Sequence, residues 1–187
     1  PQLLLQTLRS IGQQTSAVDE IVVVNDGGNR DVAKAVNEFD PRIVYVYQAN
    51  GGMQSARNAG IRSSKYDWVV FADDDDLWLP ERCQLLKQVI ATQSVEIVAS
   101  DFSMFSDRQI LIESFFKRHR RRHPGVWATV NEINGTPFAT SAGIAPTTLL
   151  AESPFWGATL AVKRSAIREI GGWDEGVRGI PSEDLDF

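Results

Sequence analysis

WVVFADDDD, residues 68–76, passes from a short apolar segment straight into four consecutive carboxylates. Val69, Val70 and Phe71 suit a strand buried on both faces, since such strands read as continuous apolar runs. Four adjacent aspartates repel one another. A folded chain keeps them together only where water solvates them or a cation binds. Side chains alternate along an extended strand end, so Asp73 and Asp75 point the same way. A hard divalent ion such as Mg2+ or Mn2+ takes one or two carboxylates together with substrate phosphates. A solvated acidic turn is the plain alternative. The position favours the ion, because open α/β sheets bind ligands at the carboxyl ends of their strands.

Working outward, the pattern repeats. EIVVVN, residues 20–25, is a second β-branched run, and Asp26-Gly27-Gly28 closes it with a turn. Ile43 to Tyr47 and Val95 to Ala99 read as two more strands. Between them lie helical patterns: Leu4, Leu5, Leu8 and Ile11 before Gly12; Val32, Val36 and Phe39 before Pro41; Ala56 and Ile61 after Gly51-Gly52; Leu85, Leu86 and Val89 after Pro80. Strand and helix alternate as far as about Ser100, which predicts a Rossmann-like, mostly parallel α/β sheet flanked by helices. Asp26 and residues 73–76 then fall at one edge of one sheet.

The remaining composition narrows the setting. The chain has 187 residues, 43% hydrophobic and 23% charged, a normal balance for one soluble domain. A net charge of −5 gives no reason to expect nucleic acid. One cysteine, Cys83, forms no internal disulfide and suits a reducing compartment. No apolar run approaches the ~20 residues that cross a bilayer. These features point to a cytoplasmic protein. One stretch stands apart, FKRHRRRHPG at residues 116–125, with Lys117, Arg118, Arg120, Arg121 and Arg122 in six positions. It reads as a solvated loop, or as a contact with the inner face of an anionic membrane, where each cation contributes ~1 kcal/mol.

Three further groups carry chemistry. Asp26 stands at a strand end beside two glycines, where a backbone can approach a ligand closely; the plain alternative is a helix cap. GGMQSARNAG, residues 51–60, opens a helix whose start attracts phosphate, and Arg57 adds a fixed cation. GGWDEGVRGIPSEDLDF, residues 171–187, ends in Glu183, Asp184 and Asp186, far in sequence from the first aspartates, as a general base must be if a metal is not to suppress it.

NDGG after an apolar strand, GGMQSARNAG, FADDDDLWLP, and GGWDE followed by SEDLDF resemble, in that order, the family 2 glycosyltransferases of GT-A fold, inverting enzymes with bacterial members. The resemblance runs from about Leu3 to Phe187. It implies a metal-assisted transfer of sugar from a nucleotide-diphosphate donor, UDP-linked, to the hydroxyl of a carbohydrate or lipid-linked acceptor, as in polysaccharide or cell-envelope biosynthesis. Asp26 matches the residue that reads the base, and Arg57 the arginine near the nucleotide. Asp73 or Asp74 matches the ribose contact and Asp75 the ligand of Mn2+ or Mg2+. Asp184 matches the catalytic base, with Glu183 beside it. Residues 1–100 would form a nucleotide-binding half and 101–187 an acceptor-binding half of one domain. Asn25 replaces the family's usual first aspartate. The family's opening strand, with its Pro-x-Tyr-Asn-like turn, and its continuation beyond the Glu-Asp pair have no counterpart, so the resemblance implies a fragment. Two rivals share features: a haloacid dehalogenase-like phosphatase, whose strand ends in Asp-x-Asp, and a non-catalytic nucleotide-sugar-binding module.

Overall fold

The computed structural model describes residues 2–106, 109–128, 130–133, 135–141 and 153–176. The predicted alternation is present in its first half: α1 (Gln2–Gly12), β1 (Val22–Asp26), α2 (Val32–Phe39), β2 (Val44–Gln48), α3 (Met53–Ser63), β3 (Trp68–Val70), α4 (Arg82–Thr92) and β4 (Ile97–Ser100). Then follow a hairpin of β5 (Met104–Ser106) and β6 (Gln109–Ile112), the helices α5 (Phe115–Arg122) and α6 (Pro124–Trp127), β7 (Val130–Glu132), β8 (Phe138–Ser141), β9 (Leu160–Lys163) and α7 (Arg164–Ile170).

The class is α/β, but the sheets differ from expectation in two ways. β1 and β2 pair in parallel, with Asp26 opposite Gln48. β3 belongs to a second, five-stranded sheet of order β3-β9-β4-β8-β7. Its ladders are antiparallel: β9 enters between β3 and β4 and runs against both. β3 and β4 therefore point the same way, as the alternating pattern requires, yet every ladder of this sheet is antiparallel, not mostly parallel as expected. The strand between them comes from ninety positions along the chain, which no local pattern announces. It also makes the two predicted halves share one sheet.

Packing explains the layers. Leu8 of α1, Val23 of β1, Val36 of α2 and Ile43 form one apolar cluster. α4 covers one face of the larger sheet, with Leu86 and Val89 against Val98, Phe138 and Ala161. On the other face Phe116, Trp127, Ile167 and Trp173 pack with Ala99, Ala139, Leu160 and Val162. Burying a large apolar side chain contributes about 1.5–3 kcal/mol, so these two clusters hold the larger sheet between its helices.

The basic run does not form a loop. It is the helix α5, started by Ser114, whose Oγ accepts from the Lys117 amide. Phe116 and His119 face inward, and the Trp127 indole N–H donates to His119 Nδ1 at 2.9 Å. No helix among the described residues is long and apolar enough to cross a membrane.

Candidate functional site

Between β1 and β3 lies a cleft of about 1200 Å³, lined by residues 22–26 and 68–75 and by Arg57. Asp26, Arg57, Asp73, Asp74 and Asp75 all border it. The two acidic strand ends therefore meet across a cleft between two sheets, and not along the edge of one.

The β1 end is built by side chains that tie turns together. Asn25 is buried; its Oδ1 accepts from Gly28 N at 2.7 Å, and its amide donates to Asn29 O and to the Tyr45 hydroxyl. An amide can do both, so asparagine fits where the family usually has aspartate. Asp26 reaches the next loop: Oδ1 accepts from Gly51 N and Gln48 Nε2, and Oδ2 from Gly52 N, each at 2.8 Å. The amides of Gly51 and Gly52, just before α3 begins, are thus met from within the chain by the Asp26 carboxylate.

Gly27 makes this closure possible. Its φ is +79°, and a Cβ there would stand 2.7 Å from Asn50 Cβ and 2.8 Å from Asn50 N. Gly27→Ala is expected to destabilise the chain by about 2 kcal/mol or more, from left-handed strain plus the clash. Denaturant titration would read this as a lower midpoint at unchanged slope. An alanine variant as stable as its parent would refute the packed turn.

Arg57 sits just over one turn into α3. Its side chain is 9% exposed, and its guanidinium lies 5.4 Å from the centre of the Trp173 ring and approaches Asp73 Oδ1 at 4.0 Å. Trp173 packs edge-on against Phe71, the residue two before Asp73. The GGWDE segment is locked to α3: Asn58 Nδ2 donates to Trp173 O at 2.8 Å, and Trp173 N donates to Asn58 Oδ1 at 3.1 Å. Glu175 accepts from the same amide at 3.0 Å, and the hydrogen bonds from Asn58 and Ser55 hold its carboxyl below the usual range. The GGWDE segment is thereby held against α3 by a buried asparagine. Glu183, Asp184 and Asp186 lie outside the described residues.

The aspartate loop is held from the other side by α1. Thr7 Oγ1 donates to Asp74 O, Ser10 Oγ accepts from Trp78 N, and Gln14 joins Leu79 O to Cys83 N. Thr7 and Ser10 of α1, continued by Gln14 just past its end, are a polar stripe at helical spacing, a pattern visible in the sequence once the apolar residues are set aside.

The four aspartates are not equivalent. Asp73, Asp74 and Asp75 are exposed. Asp76 is partly buried; burial first and the Asp75 charge second push its carboxyl up, opposed by Arg82. Burial pushes the Arg82 guanidinium down to about 10, so it stays charged at neutral pH, stacked 4.1 Å over Trp78. Among the described residues no three His, Cys, Asp or Glu side chains converge into a ready-made metal cage. An exposed Asp75 nevertheless fits an ion that binds one protein carboxylate and completes its shell with phosphates and water.

Residues 1–140 match Glycosyl transferase family 2. A glycosyltransferase of Haemophilus influenzae is 40% identical over 83 residues, 44% of this chain and 28% of that protein. The glycosyltransferase GlyA of Streptococcus pneumoniae is 32% identical over 124 residues, 62% of this chain and 18% of its own length. Among solved structures, S. aureus TarS 1–349 superposes with a TM-score of 0.67 at 16% identity, over 98% of this chain and 49% of TarS. The mannosyltransferase PcManGT of Pyrobaculum calidifontis, in complex with GDP-Man and Mn2+, gives 0.62 at 21% identity, over 98% of this chain and 46% of its own. TarS has also been solved with UDP. The chain thus spans about half of these structures and less of the two relatives, and shares their GT-A fold. With three of its motifs bordering one cleft and three quarters of its length matched, the chain belongs to glycosyl transferase family 2.

Proposed function

We propose that the protein moves a sugar from a nucleotide-diphosphate donor, UDP-linked, to the hydroxyl of a carbohydrate or lipid-linked acceptor, with inversion. The observation that carries this reading is the single cleft on which Asp26, Arg57, Asp73, Asp74 and Asp75 converge. Family membership removes the phosphatase alternative. The complexes of PcManGT with GDP-Man and of TarS with UDP support a nucleotide ligand for the matching cleft here.

Asp26 would meet the base, its carboxylate already fixed in orientation by Gly51, Gly52 and Gln48. Asp73 or Asp74 would bind the ribose. Arg57, held against Trp173, brings a fixed positive charge to the diphosphate. Asp75 would hold Mn2+ or Mg2+, which when bound offsets the negative charge that grows on the departing nucleotide. Asp184, with Glu183 beside it, would take the proton from the acceptor hydroxyl as that oxygen attacks the anomeric carbon from the side opposite the diphosphate. One bond to the sugar forms as one breaks, and the configuration inverts. Residues 1–100 would serve the donor and 101–187 the acceptor, with the protein working in the cytoplasm.

Calorimetry of the intact protein against UDP- and GDP-sugars, with Mn2+ and with chelator, tests the assignment. UDP-sugars are expected to bind with the metal and to weaken by tenfold or more without it, about 1.4 kcal/mol. Absence of binding by every nucleotide sugar would overturn it.

A further inference from the structure

The donor cleft leaves one part of the molecule unexplained. The hairpin β5–β6 exposes large apolar side chains on both strands: Phe105 is 55% exposed, Ile110 69% and Leu111 61%. Phe105 lies opposite Ile110 in the ladder. A two-stranded hairpin is marginal by itself, and a soluble surface seldom gathers such residues without a partner. This one is fixed at its root. Phe102 stacks on Phe115 with ring centres 4.6 Å apart, and Trp156, itself 45% exposed, packs against both.

The helix α5 starts at the same root. The Asp101 carboxylate accepts from the Phe116 amide and the Ser114 hydroxyl, and Phe115 N donates to Phe102 O. With Phe116 and His119 turned inward, Lys117, Arg120, Arg121 and Arg122 are left exposed. Arg120 is engaged by Glu132 and by the Trp127 ring. Lys117, Arg118, Arg121 and Arg122 have no ion-pair partner among the described residues. Residues 104–125 hold six Lys and Arg against two carboxylates, a local charge of +4 in a chain whose total is −5.

We propose that the β5–β6 hairpin and α5 form a peripheral docking surface for an anionic lipid bilayer. Unpaired cations meet the headgroups while Phe105, Ile110 and Leu111 enter the interfacial zone, and Trp156 lies at the level where indoles favour a half-wet position. Charge selects this occupant. A second copy would bring the same +4 patch against itself, whereas an anionic bilayer complements it and also accepts apolar side chains. The surface does not depend on which nucleotide sugar the cleft binds.

The test is co-sedimentation of the intact protein with vesicles of phosphatidylcholine alone and of phosphatidylcholine with phosphatidylglycerol. Binding is expected only to the anionic vesicles, with a blue shift in tryptophan emission that Trp156→Phe abolishes. Lys117→Ser, Arg121→Ser and Arg122→Ser together are expected to weaken it on the order of 100-fold. Phe105→Ser, Ile110→Ser and Leu111→Ser together should keep attachment at low salt and lose it at physiological salt, where screening reaches ~8 Å. All six positions are exposed, so circular dichroism and donor binding should not change. Equal binding to neutral vesicles, or parent-like binding by both triple variants, would overturn the proposal. So would a fall in solution mass of the apolar variant, which would make the hairpin a protein interface.

Discussion

Asp75→Asn is expected to lower metal-dependent sugar transfer about a thousandfold while the fold stays intact. The size follows from the several kcal/mol that a bound ion contributes to offsetting charge on a leaving diphosphate, at 1.36 kcal/mol per decade. The fold is spared because the Asp75 side chain is exposed and its carboxylate accepts no hydrogen bond among the described residues. Its removal also relieves the repulsion that helps push Asp76 up. Thermal stability should therefore stay within ~0.5 kcal/mol of the parent, the range for exposed positions. Two measurements decide the matter, turnover across a Mn2+ titration and the melting curve without metal. Full turnover in chelator, or in the asparagine variant, would remove the metal from the mechanism.

Asp184→Asn should abolish transfer by a different route. A positioned general base contributes about 10²–10⁴ in rate. Asparagine keeps the shape and cannot take the proton. Donor affinity, read by calorimetry, should change by less than about threefold, under ~1 kcal/mol. The role proposed for Asp184 is on the acceptor hydroxyl and not on the donor; in sequence it follows eleven residues after Trp173, which Asn58 fastens to α3. Normal transfer by the variant, or loss of donor binding, would pass the role to Glu183 or Asp186.

The sequence spoke clearly where its meaning is local. β1 and β3 are β-branched or aromatic runs that stop at acids, and α1 to α4 carry apolar residues at helical spacing. These features fixed the position of Asp26 and of residues 73–76 at strand ends. What it could not show was non-local. β9 enters between β3 and β4 because its residues Leu160, Ala161 and Val162 fill both faces of that gap, and nothing near residue 68 records this. The pairing of Asn58 with Trp173 spans 115 positions. The basic run reads as a loop, or as a membrane contact, because its charge hides a helix. The Ser114 cap, with Phe116 and His119 three apart, was the cue. The hairpin is not legible in the sequence because both its strands are largely exposed, so it shows no clean alternation of apolar and polar residues.

The polar stripe of α1 has a dynamic consequence. Two backbone amides, Trp78 after the aspartates and Cys83 in the first turn of α4, are sealed by Ser10 of α1 and by Gln14 just past its end. Their protons can exchange with solvent only when those side chains let go, which ties loop opening to the helix. Loop and helix then form one cooperative opening unit, although they stand some 65 positions apart in the chain. Whatever orders the aspartates would slow deuterium uptake in α1, a helix that holds none of the candidate ligands itself.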